Sequence, residues 1–125
     1  MAMRILLVDD NQQYREILGD ALRRYGHSVL TAADGAEAFE LLEATYFDLV
    51  ISDIEMPVIK GTELYQLMRN DPRFQKTPFL FISGHPGSRI DVNSKNRKKG
   101  LVLSKMTPVF EIVGIAEVLA ETNQN

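Results

Sequence analysis

Predominantly apolar runs stand at Ile5 to Val8, Ser28 to Ala32, Leu49 to Ser52, Phe79 to Ile82 and Leu101 to Ser104, separated by segments whose apolar positions recur at helical spacing. Short apolar runs bounded by turn formers are the pattern of strands buried on both faces. After the first run, Asn11 reads as a helix N-cap; Tyr14, Ile17, Leu18, Ala21, Leu22 and Tyr25 then share one face, and Gly26 supplies a stop. Ala36, Phe39 and Leu42, with Ala38 and Leu41 alongside, mark a second helix to about Ala44, and the third strand ends at Asp53. Met56-Pro57 and Gly61 bound a loop, Leu64, Leu67 and Met68 give a short helix that stops before Pro72, and Pro78 opens the fourth strand. A last helix runs from about Pro108 to Glu121, with proline acceptable in its first turn. This alternation predicts an α/β fold: a five-stranded parallel sheet, doubly wound and covered on both faces by five helices.

The crossover between Gly84 and Gly100 is the weak place in this pattern. A parallel connection requires a helix there, yet after Ile90 and Val92 the positions that should be buried hold Asn93, Ser94 and Arg97. The segment also carries Arg89, Lys95, Arg97, Lys98 and Lys99, which reads as a solvated connection or as a docking surface for an acidic partner. The last helix errs the other way. Val109, Phe110, Ile112, Val113, Ile115, Ala116, Val118 and Leu119 cover more than one face, so burial against the sheet accounts for a stripe and the remainder points to contact with another chain.

At 125 residues and 45% hydrophobic, the chain suffices for one core and not for two, so residues 1–125 form a single domain. The absence of cysteine excludes disulfides and thiolate chemistry. No run approaches the length of a membrane span, and Met1 to Val8 lacks the features of a secretory signal; a cytoplasmic location is expected. A net charge of −3, with no recognition helix in the pattern, argues against direct nucleic-acid binding.

Against this background the polar residues at the strand ends stand out. Asp9, Asp10, Asp53, Ser83 and Lys105 each fall at or just past the end of an apolar run. In an open parallel sheet those ends line one edge, and ligands bind in the crevice beyond it. Taken singly, such a carboxylate is more often a cap or turn former, and such a Lys or Ser a solvated surface residue. Together they are more specific. If the first and third strands are neighbours, three carboxylates crowd one spot, and at roughly 5 Å and an effective dielectric of about 20 each pair repels by about 3 kcal/mol. Such a cluster calls for a cation or for raised pKa values, and hard oxygen ligands suit Mg²⁺, or Mn²⁺ in its place. A carboxylate nucleophile, a metal, an ammonium and a hydroxyl are the parts needed to form and hold an acyl phosphate.

Through the acidic pair Asp9-Asp10, the stretch from Asp53 to Gly61 (Asp-Ile-Glu-Met-Pro-Val-Ile-Lys-Gly), Ser83 after one strand and Lys105 after the next, the chain resembles the receiver domain of bacterial two-component response regulators. The resemblance implies a flavodoxin-like three-layer sandwich with strand order 2-1-3-4-5. It also implies that Asp53 accepts a phosphoryl group from a sensor histidine kinase or phosphotransfer protein. Asp10, Asp53 and the backbone carbonyl of Glu55 would hold the metal, with Asp9 acting through a bound water. Lys105 would pair with the phosphoryl oxygens and Ser83 would hydrogen-bond them. Glu55 and His85 occupy positions that influence how long the phosphoryl group survives, while Pro57 shapes the loop and Gly61 relaxes the backbone before the next helix.

The chain departs from the family pattern where an aromatic switch residue usually stands, at Val102, and again at Met106, where proline is common. The output implied is a change in protein–protein association, with a second copy or an effector, through the 84–100 crossover and the last helix. On this reading the chain is a binding switch and not an enzyme, its only turnover being slow self-dephosphorylation. An aspartyl-nucleophile phosphohydrolase would share the metal, Lys and Ser, but it needs a second Asp two residues after the first, where Asn11 follows Asp9. A receiver-like module that is never phosphorylated is the third reading, opposed by the full acceptor set. The failed apolar spacing predicts that amides from about Gly87 to Lys99 exchange with solvent faster than those of the first helix, as hydrogen-exchange mass spectrometry can measure; equal protection would contradict it.

Overall fold

A computed structural model describes residues 2–84 and 101–122. The strands are β1 (Arg4–Val8), β2 (Ser28–Ala32), β3 (Leu49–Asp53), β4 (Phe79–Ser83) and β5 (Leu101–Ser104), and all neighbours pair parallel in the order β2-β1-β3-β4-β5. Among the described residues there are four helices: α1 (Gln12–Arg24), α2 (Gly35–Ala44), α3 (Gly61–Arg69) and α4 (Val109–Thr122). The fifth helix expected in the 84–100 crossover lies outside the described residues, as do the basic cluster and His85.

The side-chain alternation of a strand sorts the core into two layers. Leu6, Val8, Val50, Phe79 and Phe81 face α2 and α3, where Ala38, Leu42, Leu64, Tyr65 and Met68 meet them. Ile5, Leu7, Leu49, Ile51, Leu80 and Ile82 face the other way, onto Leu18 and Leu22 of α1 and Ile112, Val113, Ala116 and Ala120 of α4. Strands β3 and β4 are buried along their full length, which explains their unbroken apolar runs.

Helix boundaries follow local chemistry. The Asn11 side chain accepts the Tyr14 N–H at 3.0 Å, capping α1, and beyond its end Gly26 takes φ +93°, a backbone state glycine adopts freely. Asp34 caps α2 by accepting the Glu37 N–H at 2.8 Å. Helix α4 divides as its composition predicts: its buried stripe packs on the sheet, whereas Phe110 is 65% and Val118 58% exposed. A buried histidine, to which the sequence pattern drew no notice, ties α4 to the sheet. The Nδ1 of His27 accepts the Met3 N–H at 3.1 Å, so its Nε2 carries the proton and donates to Glu117 at 2.7 Å.

The loop joining β3 to α3 is tightly wound. The Ile59 N–H donates to the Pro57 carbonyl at 2.8 Å around Val58, whose φ is +69°. That is a γ-turn of the positive-φ kind, strained for any L residue and most of all for a β-branched one. Gly61 is required for a different reason from the backbone freedom expected of it: a Cβ there would sit 2.0 Å from the Asp53 carbonyl oxygen. Relief of the Val58 strain, worth about 1–3 kcal/mol, exceeds the roughly 0.5–1 kcal/mol of extra unfolded-chain entropy that glycine brings. Val58→Gly should therefore stabilise the domain by about 1 kcal/mol in urea unfolding, and Gly61→Ala should destabilise it by more than that.

Candidate functional site

Parallel register sets the strand ends level. Val8 lies opposite Ser52, Asp53 opposite Ile82, and Ser83 opposite Ser104. Asp9 and Asp10 directly follow β1, Asp53 and Ser83 close β3 and β4, and Lys105 directly follows β5, so residues far apart in sequence meet along one edge. Carboxylate oxygens of Asp9, Asp10 and Asp53 all come within 4.8 Å of one another.

The three differ in surroundings. Asp9 is 1% exposed and fully engaged: its N–H donates to the Ala32 carbonyl, its Oδ1 accepts the Asn11 N–H at 2.9 Å, and its Oδ2 lies 2.6 Å from the Lys105 ammonium. Its carbonyl accepts a 2.6 Å bond from Arg15. Asp10 is exposed and reachable from solvent. Asp53 is buried, with its Oδ2 at 3.4 Å from Lys105 Nζ. Burial, and next the charge of Asp9, push the Asp53 carboxyl above its ordinary value, against the opposing pull of Lys105 and the Ile54 N–H. One ammonium cannot offset three carboxylates at this spacing. The cluster, open to water at Asp10 and built of hard oxygen donors, fits a small divalent cation.

Lys105 is held on several sides. Its backbone N–H donates to the Ser83 carbonyl at 2.8 Å, which fixes the turn after β5. Its ammonium sits 4.8 Å from the centre of the Tyr14 ring. Burial, then the charges of Asp9 and Asp53, raise the Tyr14 hydroxyl to about 12, so the phenol stays neutral. Ser83 is buried at the end of β4 beside this turn. The Glu55 side chain is exposed in the following loop. Val102 is half-buried and packs on the layer containing Phe79, Phe81 and Tyr65, directly opposite Phe81 in register.

The structure thus brings Asp9, Asp10, Asp53, Ser83 and Lys105 to one edge, as the strand pattern predicts. Tyr14 was missed: in a helical stripe a tyrosine reads as core, and the available signal was its place in the first turn of the helix that begins at the acidic pair.

The family described as the response regulator receiver domain matches residues 5–113. The protein RcaC of Microchaete diplosiphon is 38% identical over 80 residues, which are 64% of this chain and 12% of RcaC. The chemotaxis protein CheY1 of Helicobacter pylori is 37% identical over 87 residues, 68% of this chain and 70% of that protein. The chain therefore spans about an eighth of the length of RcaC and more than two thirds of CheY1. Among solved structures, the response regulator TrrA of Thermotoga maritima, in complex with Mg²⁺–BeF, superposes with a TM-score of 0.78 at 31% identity, covering 93% of this chain and 97% of TrrA.

The raised Asp53 carboxyl has a consequence for stability. A group that binds its proton more readily in the folded state than in the unfolded chain makes folding less favourable once it ionises. The penalty is full above the raised value and vanishes as pH falls to the ordinary carboxylate value of 3.8. In EDTA at neutral pH, Asp53→Asn should unfold at a higher urea concentration than the wild type, with the difference shrinking on acidification. A variant no more stable at neutral pH would contradict the electrostatics described.

Proposed function

The chain belongs to the response regulator receiver domain family, and from that premise we propose that Asp53 is its phosphoacceptor, taking a phosphoryl group from a phosphohistidine of a sensor kinase or phosphotransfer protein. The observation that carries this reading is the buried Asp53 carboxylate flanked within 4.8 Å by Asp9 and Asp10 oxygens and at 3.4 Å by the Lys105 ammonium. In the transfer, a carboxylate oxygen of Asp53 bonds to phosphorus as the P–N bond of the donor breaks, giving an acyl phosphate and a free imidazole. The electron pair of the broken bond stays with the imidazole nitrogen.

Each neighbour has a part. Asp10 and Asp53, with the Glu55 carbonyl, would hold Mg²⁺ or Mn²⁺, and Asp9 would act through water, consistent with its oxygens being already engaged by Asn11 and Lys105. The ion, when bound, neutralises charge on the transferring oxygens; the Mg²⁺–BeF complex of TrrA supports its identity. Lys105 supplies the ammonium for a phosphoryl oxygen and Ser83 a hydroxyl for another. Glu55 and His85 tune the lifetime of the product.

The output is a change in association with a second copy or an effector. The surface proposed for it is the 84–100 crossover and the last helix, and the exposure of Phe110 and Val118 on α4 supports the second part. Turnover is confined to slow loss of the phosphoryl group. The phosphohydrolase reading loses further ground because Asn11, where a second acid would stand, spends its side chain on capping α1. Among the described residues no helix is long and apolar enough to cross a membrane, and the domain is taken to work in the cytoplasm as one unit over 1–125.

Incubated with a small acyl phosphate and Mg²⁺, the protein should gain a single phosphoryl mass, absent in EDTA and in Asp53→Asn. An adduct undiminished in that variant would refute the assignment. Asp10→Asn should weaken Mg²⁺ binding by about ten-fold while leaving the fold intact, since the exposed carboxylate contributes little to packing. If the wild type associates on phosphorylation, Ser83→Ala should abolish that response in sedimentation.

A further inference from the structure

We infer that Tyr14 is a positioning residue for the acceptor site, its ring face steering the Lys105 ammonium between Asp9 and the phosphoryl group on Asp53. The inference rests on the receiver reading for the phosphoryl step and on geometry alone for the placement of the lysine.

In the resting structure two carboxylates compete for one ammonium, and Asp9 has the advantage at 2.6 Å against 3.4 Å to Asp53. A lysine locked on Asp9 serves phosphoryl transfer poorly, because charge develops beyond Asp53. The Tyr14 ring, centred 4.8 Å from Nζ, is a third holder of another kind. An aromatic face attracts a cation through its quadrupole while carrying no net charge. It therefore keeps the ammonium at the site as the ion pair with Asp9 loosens, and it adds no negative charge to a crevice that must admit an anionic phosphoryl donor. A further carboxylate in its place would hold the lysine and repel the donor.

The ring is well placed for this part. Tyr14 lies in the first turn of α1, its backbone N–H fixed by Asn11 Oδ1 at 3.0 Å, while the Asn11 N–H is fixed by Asp9 Oδ1 at 2.9 Å. Lys105, Asp9, Asn11 and Tyr14 thus form a closed circuit of contacts, so the ring and the carboxylate that share the lysine are locked in relative position. On its other side the ring packs against the core layer that includes Ile5, Leu7 and Leu18. The hydroxyl takes no part: it is buried with no hydrogen-bond partner among the described residues. What the site uses is the face of the ring, which phenylalanine would equally present.

The test compares wild type with Tyr14→Phe, Tyr14→Leu and Tyr14→Met, the last two guarding against a folding failure of either. Phosphoryl uptake from acetyl phosphate with Mg²⁺ is followed by intact mass. Leu and Met should slow uptake about five- to ten-fold, the range expected for loss of a partly desolvated cation–π contact, and Phe should restore the wild-type rate. Mg²⁺ affinity should be the same in all four proteins, because the carboxylates are untouched. A wild-type rate in Leu and Met, a rate in Phe as slow as theirs, or a parallel fall in Mg²⁺ affinity would overturn the inference. A second arm needs no phosphodonor. The Lys105 ε-methylene protons, on the carbon bonded to the ammonium that sits over the ring, should show an upfield ring-current shift in wild type and Phe that is lost in Leu and Met. If the wild type takes up no phosphoryl group, the receiver reading fails, and the methylene shift alone decides whether Tyr14 places the lysine; an unshifted wild-type signal rejects it.

Discussion

The sharing of one ammonium among crowded carboxylates is the constraint on which the rest of this structure depends. Asp9, Asp10 and Asp53 have oxygens within 4.8 Å of one another, and at an effective dielectric of about 20 each ionised pair at that range repels by about 3 kcal/mol. Lys105 offsets part of this from 2.6 Å and 3.4 Å. A free chain would scatter these charges. They stay together because each is anchored at the end of a strand whose neighbours are locked in parallel register, with side chains such as Leu6, Leu49, Ile51 and Leu80 wholly buried. Burial of one such side chain is worth about 1.5–3 kcal/mol, so a handful of core residues outweighs the repulsion. The core does not merely coexist with the site; it holds together charges that would otherwise separate.

The same surplus sustains the strain next to Asp53. Two features shape the loop after Asp53: the positive-φ turn at Val58 and the close passage of Gly61 over the Asp53 carbonyl oxygen. The Gly61 N–H also donates to the Ile54 carbonyl at 2.9 Å, which closes the loop on itself. Backbone packed this tightly gives Asp53 few ways to move, which keeps its carboxylate within reach of Lys105 and of the Asp9 and Asp10 oxygens. Strain at Val58 and contact at Gly61 serve one end, a fixed Asp53 carboxylate.

Much of this was legible in the sequence, for identifiable reasons. Strands buried on both faces read as continuous apolar runs, so β3 and β4 announced themselves and carried Asp53 and Ser83 to their ends. The Asn11 cap was legible because asparagine before a helical stripe has few other uses. Other features were hidden because they arise from tertiary contact. Nothing local marks Val58 as a residue with positive φ, since valine is among the least suited to it. Gly61 was recognisable as necessary, but the reason expected was conformational and the reason found is steric. Tyr14 and His27 were hidden for a common cause: each has a local role, helix face or strand approach, that satisfies sequence reasoning before its long-range contact is considered. The His27–Glu117 bond joins residues 90 positions apart in the sequence.

Val102 shows how a departure from a family pattern gains meaning only from its surroundings. Facing α2 and α3, its layer already holds Phe79, Phe81 and Tyr65, with ring centroids 4.7 Å apart for the two phenylalanines and 5.2 Å and 5.3 Å from each to the tyrosine. Val102 stands in register with Phe81 at the margin of that cluster. The aromatic side chains of this layer stand on the fourth strand and the third helix, and the fifth strand adds a valine at their margin. A valine with one restricted torsion cannot alternate between inward and outward states as an aromatic side chain does. Interlocked rings in a close-packed layer are equally ill suited to large rotations. On this side of the sheet the domain is therefore built stiff. On the proposed function, a new charge at Asp53 would be felt first elsewhere, at the lysine shared between Asp9 and the Tyr14 ring and in the turn that ties Lys105 to Ser83.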